Sequence, residues 1–206
     1  MRIIKDNTNK LGFPYIAYIP DELSKKPSVI FQLHGAGERG DGTNLDAVLV
    51  HGFANVITDE LLKDKILIMP QCPADSFWVA KIESLKKFFD NCIELYGIDS
   101  KRVFLCGLSM GGFGTWYTAM AYPDMFKAIA PCCGGGMPWN AGVLKMPIWA
   151  FHGKEDQTVA PRETYDMVDA LIKCGADVKH TYYDNVGHNS WDNAFSPELI
   201  NWFDSL

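Results

Sequence analysis

Gly107-Leu108-Ser109-Met110-Gly111 constrains this chain more than any other stretch. A strand-like run, Arg102 to Cys106, leads into it, and a helix-like run, Gly112 to Tyr122, leads out. The pattern predicts a serine thrown to the top of a sheet on a very tight strand-to-helix turn. Such a turn strains the serine backbone, at a cost of roughly 1–3 kcal/mol. Side chains at Gly107 and Gly111 would collide with the neighbouring strand and helix. Gly112 and Gly114 let the new helix pack closely.

A chain of 206 residues fits one domain, taken here as 1–206, with room for a full core. The net charge of −6, with no long basic run, argues against nucleic acid and anionic membrane as main partners. No stretch approaches the roughly 20 apolar residues needed to span a bilayer. The N-terminus carries no apolar signal core, so a cytoplasmic location is expected. Cys72, Cys92, Cys106, Cys132, Cys133 and Cys174 are scattered, without a C-x-x-C pair, and read as buried free thiols of a reducing compartment. No Cys/His cluster has metal-ligand spacing, and the phosphate-binding pattern G-x-x-x-x-G-K-[ST] is absent. No metal and no cofactor is expected. Nothing in the sequence sets an oligomeric state.

In chain order, Ile3–Lys5 and Tyr15–Ile19 read as short strands. Ser28–Leu33 is a continuous apolar run, hence a buried strand. It ends in the glycine-rich His34-Gly35-Ala36-Gly37-Glu38-Arg39-Gly40. Residues 45–57 hold one or two short helices, and Ile66–Met69 is a further buried strand. Lys81–Tyr96 repeats apolar residues at helical spacing and stops at Gly97. After the Ser109 turn come strands at Ala128–Cys132, Pro147–Phe151 and Lys179–Tyr183, and helices at Arg162–Lys173 and Pro197–Leu206. Strands alternating with helices call for an α/β architecture, a mostly parallel sheet covered on both faces. The short Cys133–Met146 connection leaves little room for a lid.

A serine hydroxyl needs an adjacent base, and the base needs an orienting group. His152, His180 and His188 follow Ser109. His188 lies in Gly187-His188-Asn189-Ser190-Trp191, between the last strand and the last helix, where α/β sites are built. It is the candidate base. Asp156, in the loop after the Pro147–Phe151 strand, is the candidate acid, with Glu155 as its rival. His152 is expected to hold the acid loop. His180 reads as a strand-face residue and His34 as a loop anchor, and His51 has no motif around it. Asp184 and Asp192 read as solvated or loop-bracing. An oxyanion needs two donors, and the backbone amides of Met110 and Ala36 are the candidates. Trp78, Trp139 and Trp191 are candidate substrate-lining residues.

Together these motifs resemble the α/β-hydrolase superfamily. Within it the chain is similar to small, lidless bacterial esterases of the carboxylesterase, polyhydroxybutyrate-depolymerase and feruloyl-esterase type, some relatives of which are labelled predicted peptidases. The resemblance runs from about Tyr15 to the C-terminus. It implies Ser109–Asp156–His188 as a triad and a small-molecule or carbohydrate-linked ester as substrate, acetyl or feruloyl esters of plant polysaccharide among them. Glu38-Arg39 resembles a pair in these esterases and is read as loop-bracing. A serine in place of cysteine argues against dienelactone hydrolase chemistry. A chain of this length is not expected to carry a prolyl-oligopeptidase propeller, which weakens the peptidase label. A peptidase or amidase with the same triad, and a binder on the same fold, are the alternatives.

Overall fold

The computed structural model describes all of Met1–Leu206. Eight strands form one sheet: β1 (Arg2–Asp6), β2 (Tyr15–Ile19), β3 (Ser28–Leu33), β4 (Lys65–Pro70), β5 (Val103–Leu108), β6 (Ala128–Cys132), β7 (Ile148–Gly153) and β8 (Val178–Tyr183). Their spatial order is β1-β2-β4-β3-β5-β6-β7-β8. The first two strands run antiparallel to their neighbours and the remainder pair in parallel.

The alternation of side chains along each strand makes two cores. On β3, Val29, Phe31 and Leu33 point to one face and Ile30 to the other. The first face packs under α1 (Ile82–Tyr96), α2 (Met110–Ala121) and α3 (Arg162–Lys173), through Phe88, Phe89, Trp116 and Leu171 among others. The second packs under α5 (Pro197–Asp204) and the 3-10 turns Leu45–Leu49 and Gly52–Asn55, through Phe203, Leu199, Val48 and Phe53. Burial on both faces is why the central strands read as unbroken apolar runs.

Helix α1 buries Leu85, Phe88, Phe89 and Cys92 on one stripe, and Gly97 at φ 63° ends it. Helix α3 has the predicted bounds. The one short helix without a sequence signal is α4 (Trp191–Ala194), directly after the His188 loop. All six cysteines are unpaired, and Cys174 is exposed where the sequence reading had it buried. It closes α3, on the surface side of the last turn. No helix is long and apolar enough to cross a membrane.

The chain leaves β3 for β4 on one side, then crosses to β5 on the other. The strand order therefore reverses around β3, and crevices form at such reversals, outside the carboxyl ends of the strands. The loops after β3 and β5 meet there. Between β6 and β7 the chain forms only the 3-10 turn Pro138–Val143, so no lid domain stands over this rim.

Candidate active site

Ser109 sits between β5 and α2 with φ 53° and ψ −117°, the strained turn that the glycine pattern requires. A Cβ at Gly107 would strike the Gly111 carbonyl, and one at Gly111 would strike the Leu33 carbonyl. The elbow can close this tightly only because both positions lack a side chain.

Three side chains from three loops form a hydrogen-bonded series. His188 Nε2 lies 2.9 Å from Ser109 Oγ, and His188 Nδ1 lies 2.7 Å from Asp156 Oδ2. Ser109 and His188 are partly exposed, whereas Asp156 is buried. The other carboxylate oxygen, Oδ1, accepts the Thr158 and Val159 amides at 2.8 and 2.9 Å. Burial pushes the Asp156 pKa up, but the bonds from His188, Val159 and Thr158 outweigh it and hold the carboxyl below its ordinary value. Glu155 is exposed and carries no contact to the imidazole.

The anion-binding candidates lie beside this series. Leu33 of β3 pairs with Gly107 of β5, which brings the following loop against the elbow. A Cβ on Gly35 would lie 3.7 Å from Ser109 Cβ. No turn, loop or cap hydrogen bond is donated by the Ala36 or Met110 amide. For Met110 the reason is positional, since the first amides of a helix have no intrahelical acceptor. Arg39 braces the loop: Nε donates to the Ala36 carbonyl at 2.9 Å and Nη1 to the Ser76 carbonyl at 3.2 Å, with the guanidinium 4.8 Å over the Phe77 ring. Glu38 does not share that role by its side chain, whose Oε2 is buried without a partner.

The two histidines read as structural are fully committed. His34 is buried, with Nδ1 2.6 Å from the Gly35 carbonyl and Nε2 accepting the Cys72 amide at 2.9 Å. Burial lowers its pKa to about 4. His152 is buried between Thr164 Oγ1 at 2.7 Å, the Val159 carbonyl at 3.0 Å and Asp156 Oδ2 at 3.2 Å. Burial pulls its pKa below the ordinary imidazole range, and the Val159 carbonyl and Asp156 carboxylate offset this only in part. His180 lies exposed on β8, and Asp184 pairs with Lys154 at 2.6 Å. Asp192 accepts from Asn189.

The tryptophans divide three ways. Trp78 does not line the mouth, contrary to the sequence reading. Its 3-10 turn, Trp78–Ala80, rotates the ring inward, where Nε1 donates to the His34 carbonyl at 3.0 Å and the side chain is fully buried. Trp191 stands edge-on to His188, ring centroids 5.1 Å apart, and backs the base. Trp139 is 82% exposed on the Pro138–Val143 turn. The residues that do form a recess are Phe77, Val79, Met110, Phe113 and Tyr117, around about 350 Å³. Phe113 and Tyr117 are the two positions between Met110 and Met120 of α2 that are not buried. Their spacing of three and seven residues from Met110 places all three on one helix face, a signal the sequence held and the tryptophan reading passed over.

Cys133, Asp156 and His188 place one potential metal donor each within 4.8 Å of one another. Both imidazole nitrogens and the Asp156 oxygens are already engaged in hydrogen bonds, so the trio is not an open coordination site.

Sheet order, elbow and rim loops are those of the α/β hydrolases. The chain belongs to the phospholipase/carboxylesterase family, which it matches over residues 76–198. It is 31% identical over 177 residues to a bifunctional acetylxylan esterase/xylanase of Neocallimastix patriciarum, covering 79% of this chain and 24% of that protein. It is 29% identical over 152 residues to poly(3-hydroxyalkanoate) depolymerase C of Paucimonas lemoignei, covering 57% of this chain and 37% of that one. The chain thus spans well under half the length of these two relatives. A thermostable esterase of known structure superposes with a TM-score of 0.82 at 28% identity, over 99% of this chain and 62% of that chain.

Proposed function

We propose that this chain is a serine hydrolase of carboxylic esters that works through an acyl-enzyme. The observation that carries this reading is one imidazole bridging the elbow hydroxyl and a buried carboxylate, at 2.9 and 2.7 Å. In this reading Ser109 Oγ attacks the ester carbonyl as His188 Nε2 takes its proton. The negative oxygen rests on the Ala36 and Met110 amides. Asp156 holds the ring by Nδ1–H and stabilises the imidazolium that forms. His188 then returns the proton to the departing alkoxide, and water repeats the cycle on the acyl-enzyme. Each amide donor contributes about 3 kcal/mol to the transition state.

The apolar recess beginning at Met110 supports an ester with an apolar or aromatic substituent. The open rim and relatives named for acetylxylan and hydroxyalkanoate polymers support esters attached to larger molecules, polysaccharide among them. The unpaired thiols, five of them buried, support a reducing, cytoplasmic setting.

Ser109→Ala lowers kcat on a short p-nitrophenyl ester by at least about 10⁴-fold and abolishes labelling by a fluorophosphonate probe. Undiminished turnover by that variant would falsify the nucleophile assignment. Asp156→Asn, which leaves the base unanchored, lowers kcat by roughly 10³–10⁴-fold. Methyl ferulate, an aryl acetate and acetylated xylan, run beside an aminoacyl anilide, define the substrate. An anilide cleaved as fast as the esters would make the protein an amidase.

A further inference from the structure

We propose that Glu38 and His51 form a hydroxyl-binding subsite for the alcohol part of the ester, so that the preferred substrate is the ester of a sugar or polyol with a free hydroxyl beside the scissile bond. The subsite serves the ester hydrolysis proposed above and rests on that reading. Glu38 is a carboxylate without a partner. It is only 9% exposed, yet its Oε2 accepts no hydrogen bond. His34 Nδ1 lies 3.9 Å from that oxygen but is committed to the Gly35 carbonyl. Arg39, next in the chain, commits its guanidinium to the Ala36 and Ser76 carbonyls. Oε1 faces His51 Nε2 at 3.9 Å, too far for a hydrogen bond. A carboxylate so placed is satisfied by a group that arrives from outside.

The gap between Oε1 and Nε2 suits a single oxygen. A hydroxyl about 2.8 Å from each bridges it, donating to the carboxylate and accepting from an imidazole N–H. The His51 side chain is 34% exposed, so a ligand can reach it. Both residues stand beside the proposed nucleophile and base. A Cβ on Gly35 would lie 3.1 Å from Glu38 Oε2 and 3.7 Å from Ser109 Cβ, so one glycine separates the carboxylate from the nucleophile. The His51 ring lies 5.2 Å from Trp191, whose ring lies 5.1 Å from His188.

The path of the proton says which part of the ester lies there. The departing alkoxide takes its proton from His188 Nε2, so it leaves on the imidazole's side of Ser109. Trp191 and His51 stand on that side. The recess of Phe77, Phe113 and Tyr117 holds no charged group and suits the apolar part.

Two esters with the same acyl group test this, trans-2-hydroxycyclohexyl acetate and cyclohexyl acetate, compared by kcat/KM. Wild type is expected to favour the hydroxylated ester by roughly ten- to a hundredfold, the range for a hydrogen bond to a charged group. Glu38→Leu removes the acceptor. His51→Phe removes Nε2 but keeps a ring against Trp191 and the backbone carbonyl that accepts from Gln32. Each is expected to lower the preference by at least about fivefold. The ratio cancels losses in folding or general activity, and the variants cancel any difference in intrinsic reactivity between the two esters. If Glu38→Leu does not fold, His51→Phe alone decides. A wild-type ratio near one would mean that the gap holds solvent only, and overturns the subsite. A folded variant that keeps the wild-type ratio overturns it as well. Failure of the ester-hydrolase reading looks different. Wild type then leaves both acetates and p-nitrophenyl acetate intact, and the subsite falls with it.

Discussion

Two strands of one sheet each end in a buried histidine, and the two rings are wired differently. His34 follows β3. Its Nε2 accepts the Cys72 amide, so the proton sits on Nδ1, which donates to the Gly35 carbonyl. One donor and one acceptor complete a neutral ring, and burial then drives its pKa to about 4. His152 is the last residue but one of β7 and meets oxygen on both sides. Both are histidines at the carboxyl end of a strand, each followed by glycine. What differs is the chain packed around each ring, an amide in one case and a carboxylate with a hydroxyl in the other. Burial lowers the pKa of both rings, and how far the surrounding acceptors offset it differs with the partners each ring meets.

The contrast breaks most visibly on the His34 side. Trp78→Ala removes the fully buried ring that lies 5.0 Å from His34 and the Nε1 donor to its carbonyl. The expected loss is about 3–5 kcal/mol, a melting temperature lower by roughly 10 °C. A melt within two degrees of the parent would mean that this loop does not depend on the core beneath it.

The next effect is in pH. The folded pKa of His34 lies below the unfolded value of about 6.5, so between the two the unfolded chain binds a proton that the native ring refuses. Its contribution is complete above about pH 6.5 and is lost as pH falls toward 4, by on the order of 3 kcal/mol. Urea unfolding of wild type and His34→Gln at both ends of that window measures it, and the variant's stability should vary less with pH. Asp156 acts in a lower window. Its depressed pKa keeps its contribution in place above the ordinary carboxylate range, losing it only as pH falls through the folded value.

The smallest effect sharpens the His152 side. Thr164→Val removes the oxygen between Nδ1 and the Gly134 carbonyl and costs about 1–3 kcal/mol. Thr164→Ser should restore most of it. Equal denaturation midpoints for wild type and the valine variant would show that the hydroxyl does not hold His152 against the Gly134 carbonyl.

These pairs also mark what could be read without coordinates. Parallel strands buried on both faces leave unbroken apolar runs, so β3 and β6 were legible to the residue. Ser109, Asp156 and His188 were legible as candidates because each falls in a rim loop of an alternating α/β chain. Trp78 was not. Ser76-Phe77-Trp78-Val79-Ala80 has no periodicity that says which aromatic turns inward, and a 3-10 turn decided it. The surroundings of His152 were equally hidden, since Thr164 and Gly134 reach it from a helix and a strand end far apart in sequence. The recess face of α2 was hidden for a third reason. Phe113 and Tyr117 lie in a helix whose other positions are almost all buried, so its apolar pattern has no contrast.

The rung where Leu33 meets Gly107 has a consequence for heat. Two residues beyond it, just past the ends of β3 and β5, lie Gly35 and Ser109. Their spacing is inherited from the repeat between neighbouring strands, about 4.8 Å, and not from the reach of a flexible segment. Fraying farther along the loop, beyond Gly35, leaves that spacing intact. The rung itself is lost only when β3 and β5 separate at the centre of the sheet, so the frame under this half of the site lasts as long as that pairing does.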